Sequence, residues 1–121
     1  MPEHVHLLVS EPKKDTLAQA LQALKVSVAG RARHYWPERD VPLWQKRYYD
    51  HNVRSHESFT DKLRYIHRNP VKRGLVENPE DWKWSSFRHY MTAEVGVVEV
   101  ESQWTADRRN GRTPNLLTIP E

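Results

Sequence analysis

Pro2-Glu3-His4-Val5-His6-Leu7-Leu8-Val9, residues 2–9, is the stretch on which the reading of this chain turns. Two histidines around one aliphatic residue, running on into three more aliphatics, predict a strand. Strand side chains alternate faces, so His4, His6 and Leu8 share one face while Val5, Leu7 and Val9 take the other. Both imidazoles can then meet a single divalent cation, with Val5 and Leu7 packing behind them. Two surface histidines near a terminus are the plainer alternative, and residues 2–9 alone do not decide between them.

The rest of the chain bears on that choice. Its 121 residues make one small domain. Only 37% of them are hydrophobic, but five Trp and five Tyr supply large surfaces for burial. With no cysteine, neither a disulfide nor a thiolate zinc site is available, and a reducing cytoplasm is the expected setting. No apolar run reaches the length of a membrane span. The formal net charge of +3 is modest and its distribution says more. Lys62, Arg64, Arg68, Lys72 and Arg73 fall in one run without an acid, whereas acids gather at Glu77, Glu80 and Asp81 and at Glu94, Glu99 and Glu101.

After a turn at Glu11-Pro12-Lys13-Lys14, Asp15 or Thr16 can cap a helix. In it Leu17, Leu21, Leu24 and Val28 form one apolar stripe to about His34, expected to be core. Residues 46–53 (KRYYDHNV) have the composition of a short strand, and Val95 to Glu101 suggests a late strand or hairpin arm. Ser55 or Ser58 can open a second helix, with Phe59, Leu63 and Ile66 inward and Pro70 as its stop. Pro79 to Tyr90 reads as a loop and short turn folding over the sheet. Residues 1–105 are then the folded domain and 106–121 a polar, flexible tail.

The second helix carries the chemistry. Tyr65 lies roughly 100° from the centre of the apolar stripe, at about 100° per residue. It is therefore at the shoulder, and Asn69 is its neighbour one turn on. Arg64, Arg68, Lys72 and Arg73 project around them. A phenol beside a carboxamide, ringed by cations, suits a phosphodiester: cations hold the phosphate while the tyrosine oxygen attacks phosphorus. A phenol with the usual pKa of about 10 is a weak nucleophile at neutral pH. A cation on His4 and His6, with Asn69 as a third, oxygen ligand, would activate the phosphate, and this mixed donor set suits Mg²⁺ or Mn²⁺.

Residues 2–9 together with Tyr65-Ile66-His67-Arg68-Asn69-Pro70-Val71-Lys72-Arg73-Gly74-Leu75-Val76 resemble the REP-associated tyrosine transposases, of the single-tyrosine class of HUH transposases and nucleases. The likeness extends through Trp84-Ser85-Ser86 and His89-Tyr90. It implies an α+β fold, a ferredoxin-like antiparallel sheet with helices on one face, here lacking its N-terminal portion. It also implies His4, His6 and Asn69 as metal ligands and Tyr65 as the nucleophile. The reaction implied is cutting and rejoining of single-stranded DNA beside a hairpin, through a 5′-phosphotyrosine and a free 3′-OH. Arg64, Arg68, Lys72, Arg73, Arg31 and Arg33 are the expected backbone contacts, and a homodimer is an expected assembly. Trp44, Tyr48 and Tyr49 are candidates for base stacking, with core packing favoured for Trp44. The competing expectation is a truncated DNA-binding remnant without catalysis.

Overall fold

A computed structural model describes residues 1–113; of the expected tail, residues 114–121 lie outside them. Four helices and one 3-10 turn make up its regular structure: α1 (Leu17–Tyr35), α2 (His56–Lys72), the turn Pro79–Asp81, α3 (Phe87–Thr92) and α4 (Gln103–Arg109). The expected antiparallel sheet is absent among the described residues, and this overturns the α+β reading. Residues 2–9, 46–53 and 95–101 have the composition of strands but carry no ladder. A strand is stabilised by a neighbour that takes up its N–H and C=O groups, and none of these three segments pairs with another.

The chain divides into two compact units. One is Leu8–Asn52; the other joins Met1–Leu7 to the described residues from Val53 onward. In the first, α1 starts at Thr16, whose hydroxyl accepts from the Gln19 backbone amide while the Gln19 side chain reaches back to the Thr16 amide. The apolar stripe expected to be core is not: no residue of α1 is buried, and Leu24 is 46% exposed. Within this unit what returns to α1 is an irregular segment rather than a second element. It is tied by Trp44 Nε1 donating to the Lys25 carbonyl (3.0 Å) and Lys25 Nζ donating to the Gln45 carbonyl (3.0 Å).

In the second unit α2 is the organising element. Ser55 caps it by accepting from the Ser58 amide (3.1 Å). Pro70 does not stop the helix, contrary to expectation, and α2 runs one turn further. Proline costs a helix its own N–H bond and clashes one turn back, a disruption that is tolerable close to an end. The end itself is set by Gly74 at φ +67, where the Leu75 amide bonds the Pro70 carbonyl (3.0 Å) and the Gly74 amide the Val71 carbonyl (2.9 Å). That is a Schellman closure, and it needs a residue that enters left-handed geometry without strain.

The core is small and partly polar. Leu63, Ala93 and Trp104 are its buried apolar residues among those described, beside buried His67, Asn69, His89 and Thr105. His67 meets Phe87 edge-on (5.4 Å) and lies 5.8 Å from Tyr90, which packs edge-on against Trp104 (6.0 Å). Each buried imidazole has polar partners. His67 Nε2 pairs with Ser86 Oγ (2.9 Å), and His89 pairs with the Glu94 carbonyl (3.0 Å) and Ser102 Oγ (2.7 Å). Burial without a charged partner pushes the His67 pKa down to about 4 and raises that of Tyr90. The α4 helix, capped by Ser102, occupies Gln103–Arg109 and so extends into the segment expected to be a tail.

Candidate metal and nucleophile site

The alternation expected of residues 2–9 survives without the sheet. His4, His6 and Leu8 are half-buried, whereas Val5 (59%), Leu7 (51%) and Val9 (53%) are exposed. Val5 and Leu7 therefore do not pack behind the histidines, because no second layer lies there among the described residues. The histidine face meets α2. His4 Nε2 and His6 Nε2 are 3.0 Å apart, and Asn69 Nδ2 is 3.1 Å from His6 Nε2. Asn69 is buried while Tyr65, one turn earlier, is 50% exposed, with its ring edge-on to His6 at 5.5 Å. The helical spacing of four puts both side chains beside the same imidazole, the phenol at the surface and the carboxamide inside.

This donor set fits a cation. Ligands at about 2.1 Å from a metal and at right angles to each other are about 3 Å apart, which is the spacing seen between the two imidazole nitrogens. Turning the Asn69 amide about its terminal bond exchanges Nδ2 for Oδ1, so the third position can offer oxygen. Partial burial, then the neighbouring His4, holds the His6 pKa below its ordinary value, which favours the neutral imidazole that a metal requires. Among the described residues no group of three or more His, Cys, Asp or Glu is arranged for a metal, and Asn69 is the further polar side chain beside the two imidazoles.

Glu3 is a contributor that the sequence reading left without a role. Its carboxylate is 3.3 Å from His4 Nδ1 and pairs with the Arg73 guanidinium. A carboxylate on Nδ1 keeps the proton on that nitrogen and leaves Nε2 as the lone-pair donor facing His6. Desolvation raises the Glu3 pKa, but its backbone amide and the charges of Arg73 and His4 outweigh this and lower it. The signal in the sequence was an acid directly before the first histidine; its partner 70 residues on was not visible.

The expected DNA contacts separate into distinct environments. Arg73 is engaged by Glu3, and Arg64 lies 4.0 Å from Asp61. Arg68 and Lys72 are exposed on α2. Arg31 and Arg33 are exposed on α1, in the unit Leu8–Asn52. Tyr48 and Tyr49 are exposed in that unit too, while Trp44 is half-buried and hydrogen-bonded to the Lys25 carbonyl.

Comparison with known proteins places the chain in a family. Residues 1–69 match the family model described as "Transposase IS200 like". A protein named as a REP-associated tyrosine transposase from Haemophilus influenzae is 32% identical over 104 residues, covering 78% of this chain and 59% of its own. A REP-associated tyrosine transposase from Escherichia coli is 28% identical over 108 residues, covering 88% and 59%. The chain thus spans about three-fifths of the length of these relatives. No solved structure matches it. No helix among the described residues is long and apolar enough to cross a membrane. With the family model spanning more than half of the chain, the chain belongs to the IS200-like transposases.

Proposed function

We propose that this chain carries the catalytic centre of a metal-dependent transposase that cuts and rejoins single-stranded DNA beside hairpins, with Tyr65 as the nucleophile. The observation that supports this most strongly is the convergence of His4 Nε2, His6 Nε2 and the Asn69 amide within about 3 Å steps, with the Tyr65 ring packed on His6. His4, His6 and Asn69 would hold Mg²⁺ or Mn²⁺. When bound, the ion supplies Lewis-acid polarisation of the scissile phosphate.

The protein's own residues do the remainder. Glu3, anchored by Arg73, fixes the tautomer of His4. His6 sets the plane of the Tyr65 ring, and half-exposure leaves the phenol open to a strand arriving from solvent. Arg68 and Lys72, exposed on the same helix, suit the phosphates of that strand. In the step itself Tyr65 Oη bonds phosphorus, the bond from phosphorus to the 3′ oxygen breaks, and the phenolic proton leaves so that the strand ends in a free 3′-OH. The 5′-phosphotyrosine keeps the energy of the broken ester, so the reverse attack by a 3′-OH rejoins DNA without ATP.

The test is a denaturing gel after incubating the chain with a hairpin-flanked single strand and Mn²⁺. A covalent protein–DNA band is expected, absent with Tyr65→Phe and with His6→Ala. A band that survives Tyr65→Phe refutes Tyr65 as the nucleophile. DNA binding that yields no band with the unaltered chain favours the non-catalytic remnant.

A further inference from the structure

We propose that the cavity between α3 and the segment 94–100 is a subsite for one unstacked nucleobase of a single strand, with Lys83 and Arg88 taking the phosphate beside it. This rests on the reading that the chain acts on single-stranded DNA, but on none of the residues assigned to its chemistry. The cavity measures about 380 Å³, within the usual range of small-ligand sites of roughly 300–1,000 Å³. One wall is apolar. Val95 (57%), Val97 (62%) and Val98 (75%) stand in water on one short segment without helix or ladder, a placement that burial against a base face would relieve.

The lining also carries cations. These are Lys83 and Arg88, against the single carboxylate of Glu94, and the surplus of one positive charge matches one phosphodiester. Both cations are held in place. Lys83 Nζ sits 4.7 Å from the centre of the Trp84 ring, and Arg88 Nε donates to the Glu80 carbonyl (2.9 Å). Trp84 is itself 62% exposed beside Lys83, a further face for stacking. His89 closes the cavity, with both ring nitrogens already paired to the Glu94 carbonyl and Ser102 Oγ, so this part of the wall is rigid. Ser86, on the same lining, bonds His67, two residues beyond Tyr65 on α2.

Binding is measured by fluorescence anisotropy with a short labelled oligothymidylate in EDTA, over a range of salt, using the full chain. The valines and Lys83 are exposed, and each variant is used once its circular-dichroism spectrum and melting curve match the unaltered chain. Val97→Ser with Val98→Ser should weaken binding severalfold with the salt slope unchanged, and should have no effect on an abasic strand of equal length. Lys83→Gln should weaken both strands and reduce the slope of log K against log salt by about 0.7, the value for one phosphate on a single strand. Binding is read in EDTA without the covalent step, so failure of the nucleophile assignment, seen on the denaturing gel, and failure of the subsite are read separately. Full affinity in the valine variant, equal losses on the abasic strand, or displacement of DNA by oligoglutamate at equal charge each overturn the proposal.

Discussion

Acidification from pH 7.5 to pH 5 should destabilise this chain through His67 in particular. The residue is 7% exposed, faces Phe87 and Tyr90, and has Ser86 Oγ at 2.9 Å as its polar partner. Its pKa is lowered from 6.5 to about 4 by burial. The sign follows from which state takes up the proton. Between those two values the unfolded chain binds a proton at this site and the folded chain does not, so stability is complete above pH 6.5 and falls as pH falls toward 4. At about 1.36 kcal/mol per unit the loss is roughly 2 kcal/mol by pH 5 and about 3 kcal/mol at most. Urea unfolding followed by circular dichroism in EDTA, with the unaltered chain and with His67→Gln, isolates this contribution from His6 and the carboxylates. The variant should be the less stable at pH 7.5, having lost its ring contacts, and should lose about 2 kcal/mol less on going to pH 5. Parallel pH dependences for the two proteins would refute the reasoning.

Glu3→Gln removes the carboxylate from His4 Nδ1 and should weaken Mn²⁺ binding by about 10–100-fold in calorimetry, as loss of a ligand's hydrogen-bonding partner usually does. Gly74→Ala meets no steric neighbour but forces an L-residue to φ +67, and should cost about 1–2 kcal/mol in urea unfolding. Trp104→Ala removes a member of the aromatic cluster in the small core and should cost about 3–5 kcal/mol, or prevent a cooperative thermal transition. Ser55→Ala should cost about 1 kcal/mol by leaving the Ser58 amide without its cap.

The candidate site was more legible than the fold. Alternation of side chains is a property of extended backbone, so the grouping of His4 with His6 held in a segment that pairs with nothing. Helical spacing is equally local, and it put Tyr65 at the shoulder with Asn69 as its neighbour one turn on, whereas the burial of Asn69 came from the tertiary structure. Helix starts at Thr16 and Ser55 were legible for the same reason, since a cap is a matter of three residues. The inferred sheet failed because composition records a fitness for pairing and not the presence of a partner. Pro70 misled because proline's effect depends on how many turns follow it, which Gly74 decides through its own closure.

Residue types and their spacing alone therefore determined α1 and α2, the faces of residues 2–9, and the pairing of Tyr65 with Asn69. Only the tertiary structure brought His6 to Asn69, 63 positions away, and Arg73 to Glu3, 70 positions away. It alone revealed that the α1 stripe is not buried, and that His67 and His89 serve a partly polar core. The reason is physical. Periodicity and capping are short-range and written in consecutive residues, whereas burial and long-range contact depend on which surfaces meet, and no single segment encodes its partner.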